Sequence, residues 1–234
     1  MSNPWNATLI TLMPEMYPGP LGHSLIGDAR AQGLWQLNLI HLRDFGIGAH
    51  QKVDDSPFGG GAGMVIKPDV ADAAIMVARE QSPGAQLIHF SPRGERMTQP
   101  LLRELSQTNL ILFCGRYEAL DERVLEKHAP REVSLGDFVL TGGDIPAMAL
   151  IEGCVRLLPG VVGKHESLGE ESFGDGDYAN LLEYPHYTKP ALWEGRAVPE
   201  VLTSGHHANV AKWRRAQAEA ITKARRPDLL VKKT

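Results

Sequence analysis

Short apolar runs that alternate with longer helical patterns constrain the fold of this 234-residue chain more than any other feature. Leu110–Cys114 is apolar at every position, as in a strand buried on both faces, and Trp35–His41 alternates like a half-buried strand. Asp69–Gln81 has a helical pattern directly behind Pro68. Because repeated strand–helix units form parallel sheets with helices on both faces, the sequence predicts an α/β fold with a mostly parallel sheet.

The other predicted elements continue this alternation to about residue 160. Further strands are predicted at Thr8–Leu12, at Gln86–Phe90 and within Glu132–Leu140. Further helices are predicted up to Gln32, at Leu101–Ser106 behind an N-cap at Thr98, at Asp121–Lys127, and from an N-cap at Asp144 to about Leu158.

The alternation stops near Pro159, and a segment rich in glycine and acidic residues follows. Because this segment has little apolar surface to bury, residues 161–180 are predicted to be a mobile linker. His207–Arg225 is then strongly helical. We therefore predict an α/β domain at residues 1–160, the linker, and a small helical domain at residues 181–234.

Charge is distributed unevenly along the chain. The formal net charge is −4, yet residues 205–234 contain eight Lys and Arg residues and two acidic ones. Such a basic segment can bind a polyanion locally, although a solvated helix face is the alternative.

No feature of the sequence indicates a membrane protein or a protein of an oxidising compartment. No apolar run approaches the ~20 residues of a membrane span, and Met1–Leu12 lacks the basic start of a secretory signal. Cys114 and Cys154 lie far apart among aliphatic residues, without metal-type spacing. We expect a cytoplasmic protein with buried thiols and no membrane partner.

Glycine-containing loops directly after predicted strands are the candidate binding site. They are Ser91–Gly94, Gly115–Glu118 and Leu135–Asp144. Ligands bind at the carboxyl ends of parallel strands, and glycine lets the backbone approach them closely, but each loop could also be an ordinary turn. The nearest dinucleotide pattern, Gly174-x-Gly176-x-x-Ala179, follows no predicted strand, and no phosphate loop is present, so an NAD or ATP enzyme is not expected.

Other features leave alternatives open. Gly59–Gly63 could be a flexible surface loop or a loop packed against ligand or partner backbone. Arg156, near the end of an apolar helix, could pair with Glu152 four residues earlier. The acidic side chains of the linker could simply be solvated: Glu166, Glu170 and Glu171.

Taken in order, these segments form a set of motifs. The set comprises Asp54–Met64, Ser91-Pro92-x-Gly94, Cys114–Glu118, Asp121–Arg123, Gly136–Gly143, Arg156–Gly160, Glu171–Phe173, Pro185–Pro190 and Ser204–His207. In this order the motifs resemble the bacterial tRNA (guanine-N1-)-methyltransferases of the SPOUT superfamily, over roughly residues 8–230.

The resemblance implies a fold and a set of ligands. The fold is a SPOUT-type α/β domain with a C-terminal trefoil knot, followed by a small helical domain that helps to hold tRNA. S-adenosylmethionine would bind in the knot of an obligate homodimer, and a role for magnesium stays open. By position, the donor contacts would be Pro92, Gly94, Gly115, Tyr117, Leu135, Gly136, Asp137, Phe138, Val139, Leu140, Gly142 and Gly143. The expected tRNA contacts are Lys212, Arg214, Arg215, Lys223, Arg225 and Arg226.

The resemblance also implies the reaction, methylation at N1 of the guanosine 3′ of the anticodon where another guanosine precedes it. Because N1 carries a proton, a general base must remove it while charge develops on O6. Glu171 stands where the family has Asp and is the expected base, with Glu170 and Glu118 as competitors. Arg156 is expected to stabilise O6. The alternatives are an enzyme of the same fold with another target atom, and a non-catalytic RNA-binding protein.

Overall fold

The computed structural model describes residues 3–162, 169, 171–174 and 176–231. It divides into two compact units, Met1–Val162 and Gly163–Thr234.

A parallel sheet forms the centre of the first unit. Its strands are β1 (Trp5–Thr11), β2 (Trp35–His41), β5 (Gln86–Arg96), β6 (Leu110–Phe113) and β8 (Arg131–Ser134). They form a five-stranded sheet in the order β2–β1–β6–β5–β8, and every neighbouring pair is parallel. A small second sheet joins β3 (Asp54–Asp55), β4 (Val65–Ile66) and β7 (Ala119–Leu120). The predicted α/β class and mostly parallel sheet are thereby confirmed.

Helices cover both faces of the large sheet. They are α1 (Ser24–Ala31), α2 (Pro68–Gln81), α3 (Gln99–Leu105), α4 (Glu122–His128) and α5 (Asp144–Val155). Alternate residues of β6 pack on opposite faces of the large sheet. Leu110 and Leu112 pack in a core with residues of α1, α3 and α5, whereas Ile111 and Phe113 pack in a core with residues of α2 and α4. The apolar run of β6 is therefore the signature of a strand buried on both sides.

The prediction that Asp144 is the N-cap of α5 is wrong. Gly143 occupies the cap position, and Asp144 is the first residue of the helix. Its carboxylate makes no cap bond because Thr11, Tyr17 and Arg116 donate hydrogen bonds to it instead. The Asp144 carboxylate therefore bonds to residues far away in the sequence and not to the backbone amides of the first turn of α5.

The predicted strand within Glu132–Leu140 is present but short, because β8 spans Arg131–Ser134 and the loop predicted from Leu135 follows it. The Phe138 amide then donates to the Gly136 carbonyl at 2.9 Å, which closes a turn, and Val139 is 83% exposed. These apolar residues belong to a loop rather than to the sheet.

The second unit contains α6 (Glu200–Thr203), α7 (His207–Arg225) and an antiparallel hairpin of β9 (Leu192–Trp193) and β10 (Arg196–Ala197). Its small core joins Leu181 and Tyr184 to Ala218 of α7.

The predicted linker is described only in part. Glu166 and Glu170 lie outside the described residues. The Phe173 amide donates to the Leu181 carbonyl at 2.9 Å, and the Glu183 amide donates to Ser172 Oγ at 2.9 Å. The described part of the linker therefore bonds to the chain that follows it, and its mobility stays a prediction.

Candidate active site

A cavity of about 470 Å³ lies at the carboxyl ends of β6 and β8 and beside the irregular middle part of β5. Its walls include Phe90–Arg93 of β5 and residues of the two loops that follow β6 and β8. A volume of this size suits a small organic ligand, and the position is the one where parallel sheets bind their ligands. The prediction that Ser91–Gly94 is a loop after the strand is wrong, because these residues lie within β5.

Most of the positions expected to contact a donor lie in the walls of this cavity. They are Pro92, Gly115, Tyr117, Leu135, Phe138, Val139, Leu140, Gly142 and Gly143. Glu118, a candidate base, also lines the cavity.

Three expected contacts lie outside the lining. A Cβ on Gly94 would stand 2.4 Å from the backbone of Glu132, so this glycine allows β5 and β8 to approach each other. A Cβ on Gly136 would stand 2.6 Å from the Phe138 ring. Asp137 is exposed and bonds to Arg96. These residues shape the loops around the cavity.

Three further lining residues, Ser91, Arg93 and Arg116, belong to the segments predicted as ligand loops. Sequence reasoning missed the other lining residues, which are His89, Phe90, Leu120, Glu122, Leu125, Val133, Ser134 and Pro146. Phe90 and Ser134 sit next to the predicted segments, so proximity along the chain was the available signal. His89 had none, because it lies within an apolar run that predicts only a strand.

Tyr117 adopts an unusual backbone conformation at the cavity wall. Its φ is +66°, in the left-handed region that side-chain-bearing residues rarely occupy. Partial burial and the nearby Asp54 carboxylate raise the pKa of its phenol, so the ring is neutral at physiological pH. Strain of this kind persists where surrounding structure imposes it, and such places are often ligand sites.

Two glycines let the loops after β6 and β8 approach each other. The Gly143 amide donates to the Gly115 carbonyl at 2.8 Å. A Cβ on Gly143 would stand 2.9 Å from Cys114 Cα, and one on Gly142 would stand 2.7 Å from Arg116 Cδ. A side chain at position 143 would therefore clash with backbone, whereas one at position 142 would have to displace the Arg116 side chain.

A buried ion pair lies behind these loops. Asp144, only 1% exposed, accepts a hydrogen bond from Arg116 Nε at 3.0 Å and forms an ion pair with Arg116 Nη2 at 2.9 Å. Its other oxygen accepts from Thr11 Oγ1 at 2.6 Å and from the Tyr17 hydroxyl at 3.1 Å. Both carboxylate oxygens are thus satisfied, as a buried charge requires. The Asp144 cluster (Asp144, Arg116, Thr11 and Tyr17) joins the end of β1 to both cavity loops.

The cysteines are buried, as predicted. Burial is the largest cause that raises the thiol pKa of both residues, and for Cys154 it rises to about 12. Both side chains therefore remain neutral thiols and act as small core residues.

The glycine-rich loop packs partly against Glu118. Gly59, Gly60, Gly61 and Gly63 all have positive φ, which explains the composition. The Glu118 amide donates to the Met64 carbonyl at 3.0 Å, and a Cβ on Gly63 would stand 2.2 Å from Glu118 Cγ. One end of this loop is therefore fixed beside the cavity.

The two residues expected to carry out the chemistry belong to different units. Arg156 is the C-cap of α5 in the first unit, and its amide donates to the Glu152 carbonyl at 3.1 Å. Glu171 belongs to the second unit, where its carbonyl accepts from the Gly174 amide at 2.9 Å. Neither lines the cavity, which is formed by first-unit residues alone. Their roles stay predictions.

The six basic residues expected to contact tRNA fall into two groups. Arg214 and Arg215 are half-buried and lie over the rings of Tyr184 and Tyr178, at 4.8 and 5.8 Å from the ring centroids. An exposed group comprises Lys212, Lys223, Arg225 and Arg226, the last of which pairs with Asp228 at 2.8 Å. The first group packs within the unit, so the second is better placed to contact phosphates.

Replacing Gly115 by Ala tests whether the cavity binds a ligand. The added Cβ would meet only His89 Cε1, at an ordinary 3.5 Å, so the folded chain should accept it. A ligand packed against Gly115 would be displaced, and overpacking of this kind costs about 1–3 kcal/mol, or roughly 5- to 150-fold in affinity. We expect calorimetry to show that Gly115→Ala binds S-adenosylhomocysteine, the demethylated form of the expected donor, more weakly than wild type.

The matched variant Gly143→Ala should behave differently, because its Cβ meets the backbone of Cys114. We expect a lower melting temperature for Gly143→Ala and an unchanged one for Gly115→Ala. Undiminished binding by a folded Gly115→Ala variant would exclude Gly115 as a ligand contact.

Metal sites and membrane-spanning helices were also sought in the part of the chain that the structure describes. No group of three or more His, Cys, Asp or Glu side chains there could hold a metal ion. No helix among the same residues is long and apolar enough to cross a membrane.

Comparison with known proteins gives consistent matches. A family described as tRNA (guanine-1)-methyltransferase TrmD matches residues 6–232. The chain is 56% identical over 225 residues to the tRNA (guanine-N(1)-)-methyltransferase of Rhodospirillum rubrum, covering 95% of this chain and 91% of the relative. For the protein of the same name from Ruegeria pomeroyi, identity is 56% over 227 residues, covering 96% and 92%. For that of Bradyrhizobium diazoefficiens, identity is 54% over 232 residues, covering 97% and 89%.

Proposed function

Because the chain belongs to the tRNA (guanine-1)-methyltransferase TrmD family and is therefore a methyltransferase, we propose that it transfers a methyl group from S-adenosylmethionine to N1 of a guanosine in tRNA. The guanosine is the one immediately 3′ of the anticodon. One observation carries the proposal: the cavity beside β5 and the carboxyl ends of β6 and β8 is lined by most of the positions that the resemblance assigns to the donor.

The cavity has the features that a nucleoside-containing donor needs. Its apolar wall includes Leu135, Phe138, Val139 and Leu140, which can pack on a flat base. Phe138 and Val139 are 55% and 83% exposed, so a ligand there would cover apolar surface that now faces water. Gly115 offers backbone groups without a side chain in the way.

We propose that the remaining chemistry is done by a carboxylate and a guanidinium. The donor supplies a methyl group already activated by its sulfonium charge, so the protein must position the acceptor and make it nucleophilic. Glu171 takes the proton from N1. Arg156 donates hydrogen bonds to O6, where negative charge develops. Glu118 is the competing base, since it lines the cavity.

The second unit is proposed to bind tRNA through its exposed cations. Replacing Lys212, Lys223 and Arg225 together by Ala should weaken tRNA binding and reduce its dependence on salt. The slope of log K against log [salt] should fall by about 0.7–0.9 for each phosphate that the variant no longer neutralises. Filter binding at several salt concentrations measures this.

Two controls show whether the change in salt slope is specific to the second unit. Lys127→Ala removes a lysine of the first unit that pairs with Asp72 at 2.7 Å, and it should leave the salt slope unchanged. Binding of S-adenosylhomocysteine should be the same in the triple variant. Arg214 and Arg215 are unsuitable targets, because their replacement would also remove their packing on Tyr184 and Tyr178. An unchanged slope in the triple variant would refute the assignment.

We also propose that the protein is a homodimer without RNA. The resemblance implies it, and large apolar side chains such as Phe58, fully exposed in the glycine-rich loop, support it. Sedimentation velocity at micromolar concentration should give twice the chain mass of 25.6 kDa. A stable species of the single-chain mass would contradict this.

Nucleoside analysis tests the proposed function against its alternatives. Unmodified tRNA is incubated with protein and S-adenosylmethionine, digested and analysed by mass spectrometry. N1-methylguanosine is the expected product. A ribose-methylated nucleoside or another methylated base would indicate a different enzyme of this fold, and binding without any product would indicate a non-catalytic RNA-binding protein.

A further inference from the structure

The hairpin of the second unit presents a tryptophan and an arginine to solvent. In the pairing of β9 with β10, Trp193 lies directly opposite Arg196, and opposite residues of an antiparallel pair project from the same face. The Arg196 guanidinium lies over the indole ring, 5.5 Å from its centroid. Trp193 is 56% exposed, and the other residues of both strands are exposed as well. The pair therefore lies outside the core cluster that Leu181, Tyr184 and Ala218 form.

The turn of the hairpin holds this pair in a fixed arrangement. Glu194 and Gly195, the two residues between the strands, both have positive φ, at +49° and +75°. Two positive φ angles are typical of a type I′ turn, whose twist matches that of the paired strands. The Val198 amide donates to the Ala191 carbonyl at 2.9 Å and continues the pairing beyond the strands. Because the backbone is already ordered, a ligand on the indole would bind without the entropic cost of ordering the hairpin.

Charge restricts the kind of ligand. Residues 181–234 contain ten Lys and Arg residues and five acidic ones, although the whole chain has a net charge of −4. A Glu194 carboxylate oxygen lies 3.8 Å from Arg196 Nη1, but both side chains are largely exposed, so solvent screens this ion pair. A flat aromatic surface beside a cation suits a ligand that combines flat rings with negative charge. RNA has this chemistry, because its unpaired bases stack on aromatic and guanidinium groups while its phosphates attract cations.

We propose that Trp193 and Arg196 form a stacking site for one unpaired base of the tRNA, with the indole as the stacking surface and the guanidinium beside it. The inference rests on the proposed function. It adds a contact of a different kind from the cations of α7, because contacts to phosphate neutralise charge and do not bind a base. A second copy of this chain is the alternative occupant of the exposed indole, and the oligomeric state of a variant distinguishes the two.

Substitutions within the hairpin separate base stacking from charge. In filter binding, Trp193→Ala should bind tRNA roughly 5- to 150-fold more weakly than wild type, the usual loss when a stacking aromatic is replaced by alanine. The slope of log K against log [salt] should stay unchanged, because stacking releases no counterions. Trp193→Phe keeps an aromatic ring and should retain most of the affinity. The matched control Leu192→Ala shortens an exposed side chain on the opposite face and should bind like wild type.

Abasic transcripts identify the contacted base. tRNA transcripts that each lack one base, at successive unpaired positions, are titrated into wild type and into Trp193→Ala. The transcript without the contacted base should bind both proteins equally, whereas the others should keep the difference. The same difference for every transcript would overturn the inference.

Three further results would also overturn the inference. They are equal affinity of wild type and Trp193→Ala for intact tRNA, a loss in Trp193→Phe as large as in Trp193→Ala, and a lower sedimenting mass of RNA-free Trp193→Ala than of wild type. The last result would place the indole between two copies of the chain. Failure of wild type itself to bind tRNA would instead overturn the proposed function.

Discussion

Glu171→Gln should slow methyl transfer roughly 10²- to 10⁴-fold, the usual contribution of a general base. Glutamine keeps the shape of the side chain but cannot accept the proton of N1. Single-turnover methylation at saturating donor and tRNA isolates the chemical step, because binding and product release no longer limit the observed rate. S-adenosylhomocysteine should bind as in wild type, since Glu171 does not line the cavity.

Three further substitutions control this experiment. Glu171→Asp keeps the carboxylate that the family has here and should retain substantial activity. Glu170→Gln changes the adjacent acid and should have a mild effect. Glu118→Gln tests the competing base within the cavity lining. If Glu171→Gln is near wild type while Glu118→Gln or Glu170→Gln is inactive, the base has been assigned to the wrong residue.

Asp144→Asn should destabilise the first unit by about 3–5 kcal/mol, the usual consequence of removing one partner of a buried ion pair. The amide cannot accept hydrogen bonds at both ends, so it leaves a donor of Arg116, Thr11 or Tyr17 without its acceptor. Native-state hydrogen exchange of the β1 and β6 amides measures the stability of this unit separately from that of the second. The most protected amides should lose protection by roughly 150- to 5,000-fold.

An exposed ion pair of the same unit provides the control. Asp55 bonds to Lys52 at 2.9 Å, and both side chains are at least half exposed. Because solvent screens such a pair, Asp55→Asn should leave exchange of the β1 and β6 amides unchanged. Equal protection in Asp144→Asn and wild type would mean that the Asp144 cluster does not stabilise the unit.

The sheet and its helices could be predicted because their signals are local. Consecutive apolar residues in β6 reflect burial on two faces, and Pro68 marks the start of α2. The apolar residues at 138–140 were predicted to lie in a ligand loop because glycines surround them. In the structure they are exposed and line the cavity.

The candidate site was only partly accessible from the sequence. The loops after β6 and β8 were found through glycine, whose use in close backbone approaches leaves a visible pattern. Asp144 looked like a helix cap because its true partner Thr11 lies 133 residues away, and no local pattern carries that contact. His89 looked like one more residue of a strand. Contacts between side chains that are far apart in the sequence are therefore the features that could not be predicted.

Site-resolved methylation of a defined transcript tests the central claim most directly. One tRNA transcript has guanosine as the last nucleotide of the anticodon and as the nucleotide immediately 3′ of it. A matched transcript has adenosine instead of guanosine at the position 3′ of the anticodon. Each transcript is incubated with protein and S-adenosylmethionine. Because a methyl group on N1 blocks base pairing, reverse transcription should stop at the guanosine 3′ of the anticodon in the first transcript alone. Full-length extension of both transcripts, or a stop at another nucleotide, would contradict the assignment.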